Sequence, residues 1–156
     1  MTSVLSWLKL LASEQLPFTL PPMKVGWMGQ FLALRPEHAS AELQYMAAVC
    51  VTRLQHLALP LSEAELTRRR STPLTPEQDR LLQQWGYPWV LNHFRFHFSL
   101  TGPLDGLPHA QRLAIQEAAI RHFEGLEPCR FDSLSLFVEP EKGADFLLVD
   151  QVVLRG

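Results

Sequence analysis

The chain has 156 residues, of which 47% are hydrophobic and 19% charged, an ordinary globular composition. This excludes a disordered tail, a fibrous repeat and a multidomain machine, and it predicts a single domain over residues 1–156. Sixteen acidic and fourteen basic residues give a net charge of -2, which excludes a general attraction to long nucleic acid or to an anionic membrane.

No feature of the sequence indicates export or membrane insertion. Its two cysteines, Cys50 and Cys129, are too few for a disulfide framework or a four-ligand zinc site. No run approaches the ~20 apolar residues of a membrane span, and the opening segment, interrupted by Lys9, lacks the basic start of a signal peptide. The sequence therefore predicts a cytoplasmic protein without a membrane partner.

The first two thirds of the chain are predicted to contain helices and two short extended segments. Helices are indicated by apolar residues at helical spacing and by capping boxes. In chain order, the predicted elements are a helix over 3–13, extended segments over 18–20 and 31–35 joined by a turn over 26–29, a helix over 40–57, and helices that begin after Ser62 and Thr75. The basic triplet 68–70 is interpreted as a solvated helix face rather than a nucleic-acid patch.

The last third is predicted to contain three strands and one helix. Its hydrophobic pattern predicts a strand over 94–101, a helix over 109–124, and strands over 131–138 and 145–154. The residues expected to be buried on the helix are Ile115, Ala118, Ala119 and Phe123.

The stretch 94–102 is the most informative for function. Its apolar and polar residues alternate, with Phe94, Phe96, Phe98 and Leu100 on one parity and Arg95, His97, Ser99 and Thr101 on the other. This is the period-two pattern of a strand with one apolar and one polar face. A guanidinium, an imidazole and two hydroxyls in one row could hold a phosphate and move a proton. The same pattern also fits an amphipathic strand whose polar side chains only face water.

Other chemically active arrangements are disfavoured on geometric grounds. His93 and His97 have the spacing of a helical metal pair, but on a strand they stand ~13 Å apart and cannot share one ion. The run 38–40 repeats the His-x-Ser letters, yet it leads into a helix and lacks strand alternation. The sequence also contains no glycine-rich phosphate loop, nucleophile elbow or paired-cysteine motif.

The sequence resembles a known superfamily in several blocks. Residues 96–100 match the hydrophobic-His-x-Ser/Thr-hydrophobic signature of the 2H (two-histidine, LigT-like) phosphoesterases. Within that superfamily, the chain is similar to a branch of uncharacterised proteins associated with phosphonate-metabolism genes. The matching runs, in order, are 29–36, 60–66 with 68–70, 84–88 and 95–102.

The resemblance implies a bilobed α+β fold of the LigT-like type, with antiparallel sheets and packed helices, in which each lobe contributes one His-x-Thr/Ser strand to a shared cleft. It implies metal-independent hydrolysis of a small cyclic phosphodiester, ribosyl or nucleotide-like, and no cofactor. His97 and Ser99 would be the catalytic residues, as acid/base and phosphate donor. Arg95 and Thr101 would be further phosphate-binding residues on the same predicted face.

The chain departs from the family pattern in having one such motif. Family members carry their first His-x-Thr motif upstream of a helix like 3–13, so this chain is expected to begin after it, through a late start or a shortened gene. Residues 1–156 would then hold the second lobe and part of the first, with low or no activity alone and an uncovered sheet edge that favours self-association. The alternative function is a non-catalytic phosphate- or nucleotide-binding module, or an interaction module.

Overall fold

The computed structural model describes residues 4–141 and 143–156, which form an α+β fold with antiparallel sheets and packed helices. The helices are α1 (Val4–Ser13), α2 (Ala41–Leu54), α3 (Glu63–Arg69), α4 (Pro76–Trp85) and α5 (His109–His122). The strands are β1 (Phe18–Thr19), β2 (Met23–Met28), β3 (Phe31–Pro36), β4 (Phe98–Ser99), β5 (Arg130–Phe131), β6 (Ser133–Val138) and β7 (Leu147–Val153). Short 3-10 turns occupy Gln55–Leu57 and Leu91–His93. Within these ranges, no helix is long and apolar enough to cross a membrane.

The chain divides into two compact units. One contains the described residues up to Phe18 together with 42–94 and 131–156, and the other contains 19–41 and 95–130. In the first unit β6 pairs with β7, and in the second β2, β3 and β4 form a three-stranded sheet. The two-residue strands β1 and β5 pair with each other.

The first unit packs helices against the β6–β7 hairpin. Its core cluster contains Leu11 and Ala12 of α1, Met46 of α2, and Leu154 just after β7. The predicted helices over 3–13 and 40–57 are confirmed within the described residues, the second ending in a 3-10 turn. The two predicted helices that follow are also confirmed, because capping boxes at Ser62 and Thr75 begin α3 and α4.

The second unit contains the sheet that carries the candidate site. Strands β2 and β3 are antiparallel neighbours, with Gly26 opposite Ala33 and Lys24 opposite Arg35, and β4 pairs with β3 so that Ser99 lies opposite Ala33. Helix α5 packs against β2, where the Trp27 indole Nε1 donates a hydrogen bond to the Gln116 side-chain oxygen at 2.8 Å. Leu32 and Leu34 lie on the same face of the sheet as Trp27 and are buried.

The prediction of a turn over 26–29 was wrong. Residues 23–28 form strand β2, and Gly26 lies inside it, opposite Ala33. The turn follows at Gly29, whose φ of 60° lies in the left-handed region that favours glycine. A glycine within a strand often marks a close approach of another group, and the side chain of Arg35 lies against Gly26.

The prediction of a long strand over 94–101 with a buried apolar face is also corrected. The structure assigns only Phe98–Ser99 to β4, and the Phe98 side chain is 47% exposed. The cause is the position of α5, which packs over β2, two strands away from β4 in the sheet. The alternation of apolar and polar residues thus placed Phe98 and Ser99 on opposite faces of the sheet. Whether the apolar face is buried depends on which strand α5 covers.

The helix predicted over 109–124 is present as α5, but its expected burial was wrong. None of its residues is buried, and Ala118 is exposed, while Ile115, Ala119 and the following Phe123 are half-buried. The contacts of α5 with the sheet include polar groups, since Gln116 bonds to Trp27 and the Arg112 guanidinium lies 5.0 Å above the Trp27 ring. The predicted strands over 131–138 and 145–154 correspond to β5, β6 and β7.

Candidate functional site

One face of the three-stranded sheet gathers the polar groups of the second unit. Residues that are paired across antiparallel strands, or two apart on one strand, project to the same side. The face opposite to the one that carries Trp27 therefore presents Lys24, Gly26 and Met28 of β2, Phe31, Ala33 and Arg35 of β3, and Ser99 of β4. We call this set, with His97, the polar face.

His97 belongs to this face by its position and by its contact. It lies two residues before Ser99, and the centroid of its imidazole is 5.7 Å from the centroid of the Phe31 ring. The imidazole is half-buried. The structure therefore brings His97 and Ser99, the two predicted catalytic residues, to one side of the sheet.

A main-chain hydrogen bond fixes the orientation of the His97 imidazole. Its Nδ1 lies 2.8 Å from the carbonyl oxygen of Arg95. A carbonyl oxygen only accepts, so Nδ1 must donate, and in the neutral ring Nε2 then carries the lone pair. Nε2 of His97 is the atom that can take a proton and later return it.

Ser99 and Thr101 use their hydroxyls differently. Ser99 is exposed, and among the described residues its hydroxyl has no hydrogen-bond partner. The Thr101 hydroxyl oxygen accepts from the main-chain N–H of Leu32 at 3.1 Å, and the Leu32 carbonyl accepts from the N–H of Leu100 at 2.9 Å. Thr101 thus continues the pairing of β3 beyond the end of β4, and its hydroxyl keeps one hydrogen to donate.

The main chain of Arg95 contributes to the site. Its side chain is exposed and precedes β4, and its carbonyl oxygen is the acceptor that holds His97. The assignment of the Arg95 and Thr101 side chains as phosphate ligands therefore stays a prediction.

Arg35 is a cation of the polar face that the sequence interpretation did not select. Its guanidinium lies over Gly26, since a Cβ built on that glycine would lie 3.3 Å from Nε and 3.4 Å from Nη2 of Arg35. No carboxylate in the described ranges pairs with it, whereas the ammonium of the neighbouring Lys24 lies 3.8 Å from Glu37. The signal that could have found Arg35 is its place as the charged residue at the end of the apolar run 31–34, but strand β2 was needed to place it over Gly26.

Histidines and acidic residues do not gather elsewhere into a metal centre. Within 4–141 and 143–156, no three His, Cys, Asp or Glu residues lie close enough together to hold a metal ion. In the first unit, His56 stacks edge-on against Trp7 at 4.6 Å between centroids, and the His93 imidazole lies 3.6 Å from the Glu77 carboxylate. These contacts are those of packed or surface histidines.

Comparison with known proteins gives one family and two curated relatives. The family model described as "Protein of unknown function (DUF1045)" matches residues 1–147. A ribose 1,5-bisphosphate phosphokinase PhnN of Janthinobacterium sp. (strain Marseille) is 34% identical over 150 residues, covering 92% of this chain and 32% of that protein. A protein of the same name from Laribacter hongkongensis (strain HLHK9) is 37% identical over 118 residues, covering 76% of this chain and 26% of that protein.

The chain therefore spans about a third or less of the length of these relatives. No solved structure matches it.

Proposed function

We propose that this protein is a 2H-type phosphoesterase that hydrolyses a small cyclic phosphodiester. The chain belongs to the DUF1045 family, whose model matches residues 1–147. The proposal includes membership of the 2H superfamily and a LigT-like arrangement of the fold. The observation that carries it is the hydrogen bond from His97 Nδ1 to the carbonyl oxygen of Arg95. It leaves Nε2 as the acid/base atom on the face that also holds the Ser99 hydroxyl.

The proposed reaction is the opening of a cyclic phosphate by water. The water oxygen forms a bond to phosphorus while the bond from phosphorus to one ring oxygen breaks. His97 Nε2 takes the proton that water loses, while solvent water protonates the departing oxygen, or protonated His97 gives its proton to the departing oxygen and solvent takes up the proton of the attacking water. The hydroxyls of Ser99 and Thr101, with the Arg95 guanidinium, donate to the non-bridging oxygens in this proposal.

Full activity requires a second proton-transfer group. One imidazole does not easily remove and deliver a proton on opposite sides of phosphorus in the same step, and each positioned group is typically worth ~10²–10⁴-fold in rate. The sequence holds one motif of this kind on a strand, at His97 and Ser99. We therefore expect this chain alone to turn over slowly.

The names of the two relatives support a ribosyl substrate. They are named as phosphokinases of ribose 1,5-bisphosphate, but this chain contains no Gly-x4-Gly-Lys-Ser/Thr loop of the kind that cradles nucleotide phosphates. We therefore do not assign it the kinase reaction. Hydrolysis of a ribosyl cyclic phosphate gives a ribosyl phosphomonoester, the chemical class to which ribose 1,5-bisphosphate belongs, and this is consistent with a role in phosphonate metabolism.

A substrate panel tests the proposed activity. Nucleoside 2′,3′-cyclic phosphates and ribosyl cyclic phosphates are incubated with wild type, His97→Ala and the control His109→Ala, without added metal. His109 is exposed at the start of α5, so we expect its substitution to leave hydrolysis unchanged, while His97→Ala abolishes it. Equal hydrolysis by wild type and His97→Ala would contradict the proposal.

The second candidate function is phosphate binding without catalysis. The observation that favours it is the unpaired Ser99 hydroxyl on the same face as Arg35, because binding needs these donors but no second proton-transfer group. A wild-type chain that binds cyclic nucleotides without hydrolysing them, and loses that binding in Ser99→Ala, would favour this function over the first.

A further inference from the structure

The polar face has a donor at each end of one cross-strand row. Gly26, Ala33 and Ser99 lie opposite one another on β2, β3 and β4. Neighbouring strands are ~4.8 Å apart, so the row is about 10 Å long. The Arg35 guanidinium lies over the Gly26 end, and the Ser99 hydroxyl stands at the other.

Both donors lack partners within the described ranges. No hydrogen bond or ion pair there involves the Arg35 guanidinium or the Ser99 hydroxyl, although the adjacent Lys24 is neutralised by Glu37. A guanidinium is always charged and presents forked N–H donors that fit two oxygens of one phosphate. An unpaired fork at one end of the row and an unpaired hydroxyl at the other favour an oxyanion that reaches both.

The absence of a side chain at Gly26 is part of this arrangement. A Cβ at that position would lie 3.3 Å from Nε of Arg35, a tight contact that the guanidinium could relieve only by shifting a few tenths of an ångström. Gly26 has no positive φ, so its strand conformation is open to other residues. The backbone therefore does not require glycine here, while the missing side chain leaves room for the guanidinium in its present position.

We propose that Arg35 is a phosphate-binding residue, which holds non-bridging oxygens of the substrate phosphate from the side opposite Ser99, with Gly26 providing the space for its guanidinium. Ala33, between them, is fully buried, so the phosphate contacts the two ends of the row rather than Ala33. The inference rests on the proposed function for the identity of the site, and it adds a residue that a one-strand motif does not contain. It also assigns the ligand class, a phosphate with at least two free oxygens.

Binding of inorganic phosphate and of a nucleoside 2′,3′-cyclic phosphate tests this assignment without requiring turnover. Calorimetry compares wild type with Arg35→Ala, Arg35→Lys and the control Arg121→Ala. Arg121 is an exposed arginine of α5, 3.9 Å from Glu117, so it matches the lost charge away from the polar face. We expect Arg35→Ala to weaken binding about 10- to 100-fold, as for a lost hydrogen bond to a charged group, and Arg121→Ala to leave it unchanged.

Two further variants separate the contributions of the charge, the planar N–H fork and the position of the Arg35 guanidinium to phosphate binding. Arg35→Lys keeps the charge but loses the planar fork, so it should bind more weakly than wild type and keep a salt-dependent affinity. Gly26→Val keeps Arg35 intact but displaces its guanidinium, and valine suits a strand. We expect Gly26→Val to weaken phosphate binding at an unchanged melting temperature.

The outcomes distinguish this inference from the proposed activity. Loss of phosphate binding in Arg35→Ala and Gly26→Val supports the role of Arg35 even when wild type hydrolyses nothing. Wild-type affinity in both variants, or a wild-type chain that binds neither ligand, overturns it. Where hydrolysis is measurable, Arg35→Lys should raise KM more than it lowers kcat. Equal hydrolysis by wild type and Arg35→Ala would contradict the role of Arg35, while the proposed function of His97 would still stand.

Discussion

His97 Nδ1 lies 2.8 Å from the main-chain carbonyl oxygen of Arg95. The acceptor lies two residues away on the same chain, and the Phe31 ring also contacts the imidazole, at 5.7 Å between centroids. Because the acceptor is a carbonyl, it fixes which nitrogen carries the hydrogen in the neutral ring. In the neutral ring, Nε2 is therefore the nitrogen that can accept a proton.

Replacing His97 by asparagine separates orientation from proton transfer. The amide NH₂ of His97→Asn can still donate to the Arg95 carbonyl, but it has no basic nitrogen in place of Nε2. We expect hydrolysis to fall ~10²–10⁴-fold, with phosphate affinity and melting temperature near those of wild type. Rates measured beside calorimetric affinities check this, and a variant that retains wild-type turnover would contradict the role of Nε2.

Thr101 has a structural role that can be measured independently of function. Its hydroxyl accepts from the N–H of fully buried Leu32, so Thr101→Val leaves a buried donor unpaired. We expect Thr101→Val to lower the free energy of unfolding by about 1–3 kcal/mol, and Thr101→Ser to lower it much less. Urea denaturation of the two variants compares these values, and equal losses would show that the hydroxyl does not matter.

The same contact explains what the sequence could and could not predict about β4. Alternation over 94–101 placed His97 and Ser99 on one face, because that depends only on local geometry. The strand ends at Ser99 because the N–H of Leu32 donates to the Thr101 hydroxyl instead of to a main-chain carbonyl of the neighbouring strand. This hydrogen bond depends on the pairing with β3. Exposure of Phe98 likewise depends on where α5 packs.

Helix ends were more predictable than strand partners. The capping boxes at Ser62 and Thr75 involve residues three apart, so the sequence contains all the groups that decide them. Gly26 was interpreted as part of a turn because the group that lies against it, the Arg35 guanidinium, belongs to a neighbouring strand that local sequence does not reveal. Arg35 was missed for the same reason.

Arg70 and Asp79 give the first unit a defined pH dependence. The guanidinium donates from Nε to Oδ1 at 2.6 Å and from Nη2 to Oδ2 at 3.1 Å, and these bonds hold the pKa of Asp79 below its ordinary value. A pKa that is lower in the folded state adds stability above the unfolded-state pKa, and this is lost as pH falls through the folded-state pKa. Asp79→Asn should therefore be less stable than wild type at neutral pH, with a difference that shrinks in acid. Urea denaturation across pH measures it, and a pH-independent difference would contradict this account.

The exposed β6–β7 hairpin leads us to expect that the protein self-associates. Among the described residues these strands pair only with each other, and Phe137, Leu147 and Leu148, near the loop that joins them, are 53%, 57% and 56% exposed. Open strand edges with apolar side chains tend to pair with other chains. We expect sedimentation velocity to show concentration-dependent association that Leu148→Glu reduces. A wild-type chain that stays monomeric at high concentration would count against it.

Single-turnover ring opening tests the proposed role of His97 most directly. A ribosyl or nucleoside cyclic phosphate is mixed with excess protein, with a chelator present, and followed by phosphorus NMR. We predict that wild type converts the cyclic phosphate signal into a phosphomonoester signal and that His97→Ala does not. No conversion by wild type, or conversion at the wild-type rate by His97→Ala, would contradict the assignment of His97 as the proton-transfer residue.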